Sequence, residues 1–194
     1  MKQSDISVKI MVAPAIINES ELVSQAQQGD RSAFGELVRH HRSGVINVVY
    51  RMCGDPQLAE DSAQEAFIRA WQHLPGFQPR SPFRNWLYRI ATNVALDTLR
   101  RERDTVDVDK VQLSTRTQGP EDSFDQSERA ELVREAVLAL PPASRAVLVL
   151  REYEGLSYKQ IAATLGIPIG TVMSRLNYAR TQLAATLAPL VENQ

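Results

Sequence analysis

Between Ser157 and Arg180 the sequence carries three cations, Lys159, Arg175 and Arg180, and no carboxylate. Ser157, Tyr158, Thr171, Ser174, Asn177 and Tyr178 add hydroxyl and amide groups to the same stretch. Cations hold phosphates and uncharged polar groups read base edges, so the combination suits duplex nucleic acid. A second stretch, Phe83 to Arg101, sets Arg84, Arg89, Arg100 and Arg101 among Trp86 and Tyr88, with Asn85, Thr92 and Asn93 between them. That suits a single strand, whose phosphates follow cations and whose unstacked bases rest on rings or meet amides. A third stretch, Glu60 to Trp71, places Asp61, Gln64, Glu65 and Ile68 at i, i+3, i+4 and i+7 on one helical face. Each of these faces, taken alone, also has the composition of an ordinary solvated helix surface.

Other chemistry finds little support. The 22 Lys and Arg residues against 23 Asp and Glu give a net charge of -1, so the chain does not coat nucleic acid by bulk charge and any binding must come from local faces. The single cysteine, Cys53, cannot form an internal disulfide or a Cys-rich metal site, and reads as a reduced, partly buried thiol. His40, His41 and His73 lack the spacing of metal ligands. With no nucleophile-base pair, the expectation is a non-enzyme without metal, cofactor or small-molecule substrate. The apolar run Ile10 to Ile17 is interrupted by Pro14 and falls well short of the roughly 20 residues of a membrane span, so direct membrane insertion is not expected. Residues 1–17 read as a leader outside the fold, with Met11 an alternative start.

Helical periodicity dominates the rest, predicting an all-α protein, and the length suits one ordinary domain or two small helical ones. Asn18 and Glu21 read as a capping box for a short helix stopped by Gly29. Asp30 caps a longer helix with Leu37, His41, Val45, Val48 and Met52 inward, ended by Gly54. Asp55-Pro56 and Ser81-Pro82 open two more, the second burying Phe83, Trp86, Leu87, Ile90, Val94 and Leu99. That assignment leaves Arg84, Asn85, Tyr88, Arg89, Thr92 and Asn93 at the margins or on the opposite side. From 104 to 128 seven carboxylates stand against Lys110 and Arg116, and periodicity vanishes, as in a solvated acidic tether. Helical pattern returns at Ser127, breaks at Pro141-Pro142 and resumes to Gly155. Ser157 and Gln160 form a capping box, Gly166 supplies a tight turn, and Pro168 starts another helix with Val172 and Leu176 inward. This is the pattern of a helix-turn-helix, whose second helix enters the major groove.

The ordered set Asp-x-x-Gln-Glu-x-Phe (Asp61 to Phe67), Phe-x-x-Trp-Leu-Tyr-Arg-Ile-Ala-x-Asn (Phe83 to Asn93), Leu140-Pro141, Glu-Gly-Leu-Ser-Tyr-x-x-Ile-Ala (Glu154 to Ala162) and Pro-x-Gly-Thr-Val-x-Ser-Arg (Pro168 to Arg175) resembles the extracytoplasmic-function sigma factors of the sigma-70 superfamily. The resemblance implies a subunit that binds core RNA polymerase and directs promoter-specific initiation in the cytoplasm, controlled by an anti-sigma factor. It implies region 2 over 18–104, a linker over 105–126 threading through polymerase, and region 4 over 127–190. Asp61, Gln64, Glu65, Phe67 and Ile68 then fall where the family docks on the β′ clamp helices, the β subunit being a further partner. Arg80, Arg84, Trp86, Tyr88, Arg89, Asn93, Arg100 and Arg101 fall where it recognises and melts the minus-10 element. Arg151, Ser157, Tyr158, Lys159, Thr171, Met173, Ser174, Arg175, Asn177, Tyr178 and Arg180 fall where it meets the minus-35 duplex.

The chain departs from the family pattern in two reading segments, the second helix of the helix-turn-helix and the loop before Phe83. Met173 stands where relatives often have arginine, which alters base preference there by about 1–3 kcal/mol. Asn177 and Tyr178 replace an aromatic-basic pair, and Gln78-Pro79-Arg80 replaces a common loop type before the second stretch. Two other readings remain beside the resemblance: a stand-alone helix-turn-helix regulator, which lacks here any βα alternation for a receiver or ligand domain, and a helical scaffold, which leaves the carboxylate-free basic helix unexplained.

Overall fold

In the computed structural model, which describes residues 18–106 and 124–192, every regular element among the described residues is helical. The elements are α1 (Glu19–Gln27), α2 (Arg31–Cys53), α3 (Pro56–His73), α4 (Phe83–Val106), α5 (Phe124–Leu138), α6 (Pro142–Leu148), α7 (Tyr158–Leu165) and α8 (Ile169–Glu192). A 3₁₀ turn, Leu74–Gly76, follows α3, and a π-helical turn, Val149–Tyr153, continues α6. The all-α expectation therefore holds.

Helix starts follow the local chemistry. Asp30 accepts from the amides of Ser32 and Ala33, and Asp55 from that of Leu58 with Pro56 in the first turn, satisfying donors that the helices leave orphaned. Ser157 and Gln160 form the reciprocal capping box of α7. The box expected at Asn18 is absent: Asn18 precedes α1 but makes no side-chain cap, and the Glu21 carboxylate instead meets Gln25 at 3.5 Å. Gly54 and Gly166 end α2 and α7 with φ of +81° and +66°, a conformation that costs a residue with a Cβ.

The first unit packs α2, α3 and α4 against one another and lays α1 on α2. Val45, Val48, Val49 and Met52 of α2 meet Leu87, Ala91, Val94 and Ala95 of α4, and Ala59, Ala63, Ala66 and Ala70 give α3 a small-residue stripe that lets its backbone come close. In the second unit α8 is the hub for α5, α6 and α7, with Val147, Leu150, Leu156, Ile161, Val172, Leu176 and Ala179 buried. The helices extend into the segment read as a linker: α4 reaches Val106 and α5 begins at Phe124. The rest of that segment, and the leader at 1–17, lie outside the described residues.

The units touch along α2 and α4. Arg145, 6% exposed, donates to the carbonyls of Leu138 and Leu140 in its own unit and of Met52 at the end of α2. Arg134 Nη1 donates to the Gly54 carbonyl at 3.1 Å, and Leu138 packs so closely that a Cβ on Gly54 would lie 2.5 Å from its Cδ1. Two guanidiniums thus sit at the carbonyl end of α2, where its dipole favours positive charge. Arg51 lies 4.2 Å from the ring centre of Tyr153, and α4 rests against α7.

Candidate nucleic-acid interface

On α3, the face at Asp61 to Ile68 is only partly available. Asp61 and Gln64 are exposed, and Ile68 is 46% exposed, a large aliphatic group in water. Phe67, by contrast, is half-buried and packs on the core. Glu65 takes a hydrogen bond from Arg69 Nε at 2.7 Å, Arg69 Nη1 lies 3.6 Å from Asp97, and Asp97 pairs with Arg100 at 3.3 Å. This chain of charges ties the α3 face to the outer side of α4.

The structure corrects the sequence reading of α4 at Asn85, Tyr88 and Thr92. All three are buried, not marginal. The cause is that α4 is covered on two sides, by α2 and α3 within its unit and by the second unit across Tyr88. The Tyr88 hydroxyl donates to Glu154 at 2.5 Å, and Gly44 leaves the space it occupies, since a Cβ there would lie 2.7 Å from it. Burial and the Glu154 carboxylate together push the Tyr88 phenol well above its ordinary pKa, so it remains a neutral donor. Trp86 is half-buried in a ring cluster, 4.9 Å from Phe77 and 5.4 Å from Phe83. Arg84 reaches over Tyr88 at 5.8 Å. What remains in solvent on one stripe is Arg89, Asn93 and Arg100, at i, i+4 and i+11, with Arg80 exposed in the loop before the helix and Arg101 exposed beside Arg100. A Cβ on Gly166 would lie 3.8 Å from Arg89 Nη2, so the helix-turn-helix borders this stripe.

The helix-turn-helix is assembled as its sequence indicates, with Ile161, Val172 and Leu176 buried between α7 and α8. Thr164 is buried as well, which the apolar pattern did not flag. On α8 the residues Met173, Ser174, Asn177, Tyr178 and Arg180 are exposed, and Thr171 and Arg175 half-buried. Several expected contact residues already have work inside the unit. Arg151 donates to the Leu156 carbonyl at 3.0 Å and lies 5.2 Å from the centre of the half-buried Tyr158 ring. Ser157 caps α7, while Lys159 stays exposed. Arg180 pairs with Glu152 at 2.6 Å, although both side chains are about half exposed and such a pair exchanges readily with a phosphate.

Two groups outside these faces, half-buried Cys53 and buried His41, are held in their neutral forms by their surroundings. Burial pushes the Cys53 thiol up to about 12, which keeps it protonated and unreactive. His41 hydrogen-bonds Glu19 at 2.9 Å and packs on Phe83, with burial holding its pKa below the ordinary value. His40, His41 and Glu19 lie close together, a juxtaposition that the spacing of histidines alone did not reveal. No described helix is long and apolar enough to cross a membrane.

Comparison with known proteins matches both units. The family model Sigma-70 region 2 covers residues 37–105, and Sigma-70, region 4 covers 130–183. The chain is 39% identical to ECF RNA polymerase sigma factor SigE of Mycolicibacterium smegmatis over 167 residues, which span 82% of this chain but only 65% of that relative's length. With RNA polymerase sigma-H factor of Pseudomonas aeruginosa it shares 36% identity, covering 89% of this chain and 95% of the relative. Among solved structures it is similar to the sigma factor RpoE of Bartonella quintana, determined in complex with the anti-sigma factor NepR. That match has a TM-score of 0.66 and 26% identity, covering 80% of this chain and 96% of that one.

Proposed function

The chain belongs to the extracytoplasmic-function family of sigma-70 factors, and on that premise we propose how it binds core RNA polymerase and selects promoters. A sigma factor is a specificity subunit, not an enzyme. The face of Asp61, Gln64, Glu65 and Ile68 docks on the β′ clamp helices, with Phe67 supporting it from the core and the β subunit engaged by the second unit. Arg80, Arg89, Asn93, Arg100 and Arg101 track and read the melted minus-10 strand, with Arg84, Trp86 and Tyr88 behind them. Lys159, Thr171, Met173, Ser174, Arg175, Asn177, Tyr178 and Arg180 meet the minus-35 duplex, on a framework set by Arg151, Ser157 and Tyr158.

The observation that carries this reading is the outward face of α8, a helix-turn-helix second helix with exposed polar residues and no carboxylate up to Arg180. Because Tyr88 is bonded to Glu154 and Arg89 borders Gly166, the closed arrangement covers part of α4. The two units therefore separate when polymerase takes hold, and the free chain, with its net charge of -1, binds promoters weakly. An anti-sigma factor is assigned as the regulatory partner, and the working compartment is the cytoplasm, where polymerase resides.

Two substitutions test the division of labour. Glu65→Arg should weaken binding to core polymerase, measured by gel filtration or fluorescence anisotropy, while Arg175→Ala should leave core binding intact and weaken promoter binding by the holoenzyme. Equal loss of both activities in both variants would overturn the assignment of separate surfaces.

A further inference from the structure

The first two turns of α8 present an apolar ridge to solvent: Ile169 is 44% exposed and Met173, four residues on, 54% exposed. Side chains at i and i+4 lie side by side on a helix, so the two form one continuous strip. Single exposed aliphatic groups are ordinary on any surface. These two sit together at the amino-terminal end of the second helix of a helix-turn-helix, the part of that motif that meets base edges.

Gly170, inside the same turn, leaves the backbone between these two side chains bare. Its φ is not positive, and a Cβ built on it would meet nothing within 4 Å, so neither the backbone nor packing within the chain requires a glycine. Glycine weakens a helix, but a bare backbone lets a partner come close. The surroundings suit a polyanion. Lys159 and Arg175 are the cations that flank the ridge in sequence, and no carboxylate occurs between Ser157 and Arg180. The Ser174 hydroxyl donates to the Thr171 carbonyl at 3.1 Å, which leaves its oxygen to accept and orients it beside the ridge.

Resting on the assignment of α8 to the minus-35 duplex, we propose that Ile169 and Met173 read the C5-methyl groups of thymines in the major groove. The thymine methyl is the apolar group that a base pair projects there, and aliphatic side chains recognise it by removing it from water. An arginine at 173 would seek the paired acceptors of a guanine. Methionine has no donor to offer them, so it turns the preference of this position toward A·T pairs. Its flexible thioether chain adapts to the exact position of the methyl. Gly170 lets the groove edge come within reach of both side chains.

The experiment uses holoenzyme reconstituted from the full chain and bacterial core polymerase. Duplexes randomised across the minus-35 window are selected for binding, and each thymine in the selected sequence is then replaced by deoxyuridine, which keeps every hydrogen-bonding group and removes only the methyl. At one or two thymines the replacement should weaken binding about fourfold, the value of burying one methyl-sized group. That penalty should vanish in Met173→Ala or Ile169→Ala, as expected for groups in direct contact. Both side chains are exposed, so the variants retain the core of the unit. A duplex that is selected but indifferent to deoxyuridine at every thymine, or equally sensitive in wild type and both variants, overturns the proposal and leaves the minus-35 assignment standing. It would also be the outcome if the ridge seats a protein partner. If no minus-35 sequence is enriched, the assignment of α8 itself fails.

Discussion

Helices α4 and α8 are each 24 residues long, and each carries arginines and amide side chains on a face that its sequence marks for nucleic acid. They are used differently. On α4 the central tyrosine is 3% exposed and bonded to a carboxylate of the other unit, the tryptophan lies in a ring cluster, and Arg100 is paired with Asp97. On α8 Met173, Ser174, Asn177 and Tyr178 stand in water. The difference teaches that composition fixes what a helix can bind, while contacts from distant chain decide which residues are ready to bind. Under the proposed assignment the helix for the minus-35 duplex presents its outward face to solvent, and the helix for the minus-10 strand is covered at Tyr88.

The strongest way to break this contrast is to remove the buried one of the two guanidiniums that reach from the second unit to the end of α2. Arg145→Ala orphans the carbonyls of Met52, Leu138 and Leu140, and urea unfolding should show a loss of roughly 3 kcal/mol, since buried groups left without partners bear their full desolvation cost. Arg175→Ala, at a half-buried position on α8, should cost less, about 1 kcal/mol. Equal effects would mean that the two guanidiniums are not in different environments. A smaller change is expected from Tyr88→Phe, which deletes the Tyr88–Glu154 bond and should cost about 1 kcal/mol. Amide hydrogen exchange should quicken along the α4–α7 border in that variant and remain unchanged at the exposed end of α8. Exchange unchanged at the border would show that the bond does not hold α4 covered.

The smallest effect is on pH. His41 packs on Phe83, the first residue of α4, and faces Glu19, His40 and Arg84. Burial keeps its folded pKa below 6.5, so below about pH 6.5 the unfolded chain takes up a proton that the folded chain refuses. The stability it contributes is complete above that pH and is lost as pH falls through the folded value. Acidifying from pH 7.5 to 5.5 should lower the urea midpoint of the first unit more than that of the second, and His41→Gln should reduce the difference. A midpoint independent of pH in wild type would contradict the buried neutral imidazole.

Much of this architecture was legible in the residues. Asp30, Asp55 and the Ser157–Gln160 pair announce helix starts because capping depends on neighbours within three residues, and Gly54 and Gly166 announce stops for the same local reason. Ile161, Val172 and Leu176 follow from helical periodicity. What escaped depends on long-range contact. Tyr88 looked like a base-reading ring because its partner Glu154 lies 66 residues away. Arg145 stands inside a buried run, and nothing in its neighbourhood reveals the α2 carbonyl it reaches, 93 residues earlier. Asn85 and Thr92 looked marginal because a single apolar stripe was assumed for a helix that is covered from two directions. For the same reason the exposed reading set on α4 is narrower than its composition implies.

The account is tested most directly by run-off transcription with bacterial core polymerase and a library of promoter fragments. Core supplied with the chain should yield discrete, sequence-specific transcripts that core alone does not make, with Glu65→Arg and Arg175→Ala both reducing them. If core gains no specific initiation, while the isolated chain protects a palindromic duplex from cleavage, the chain acts as a free-standing regulator and the account is contradicted.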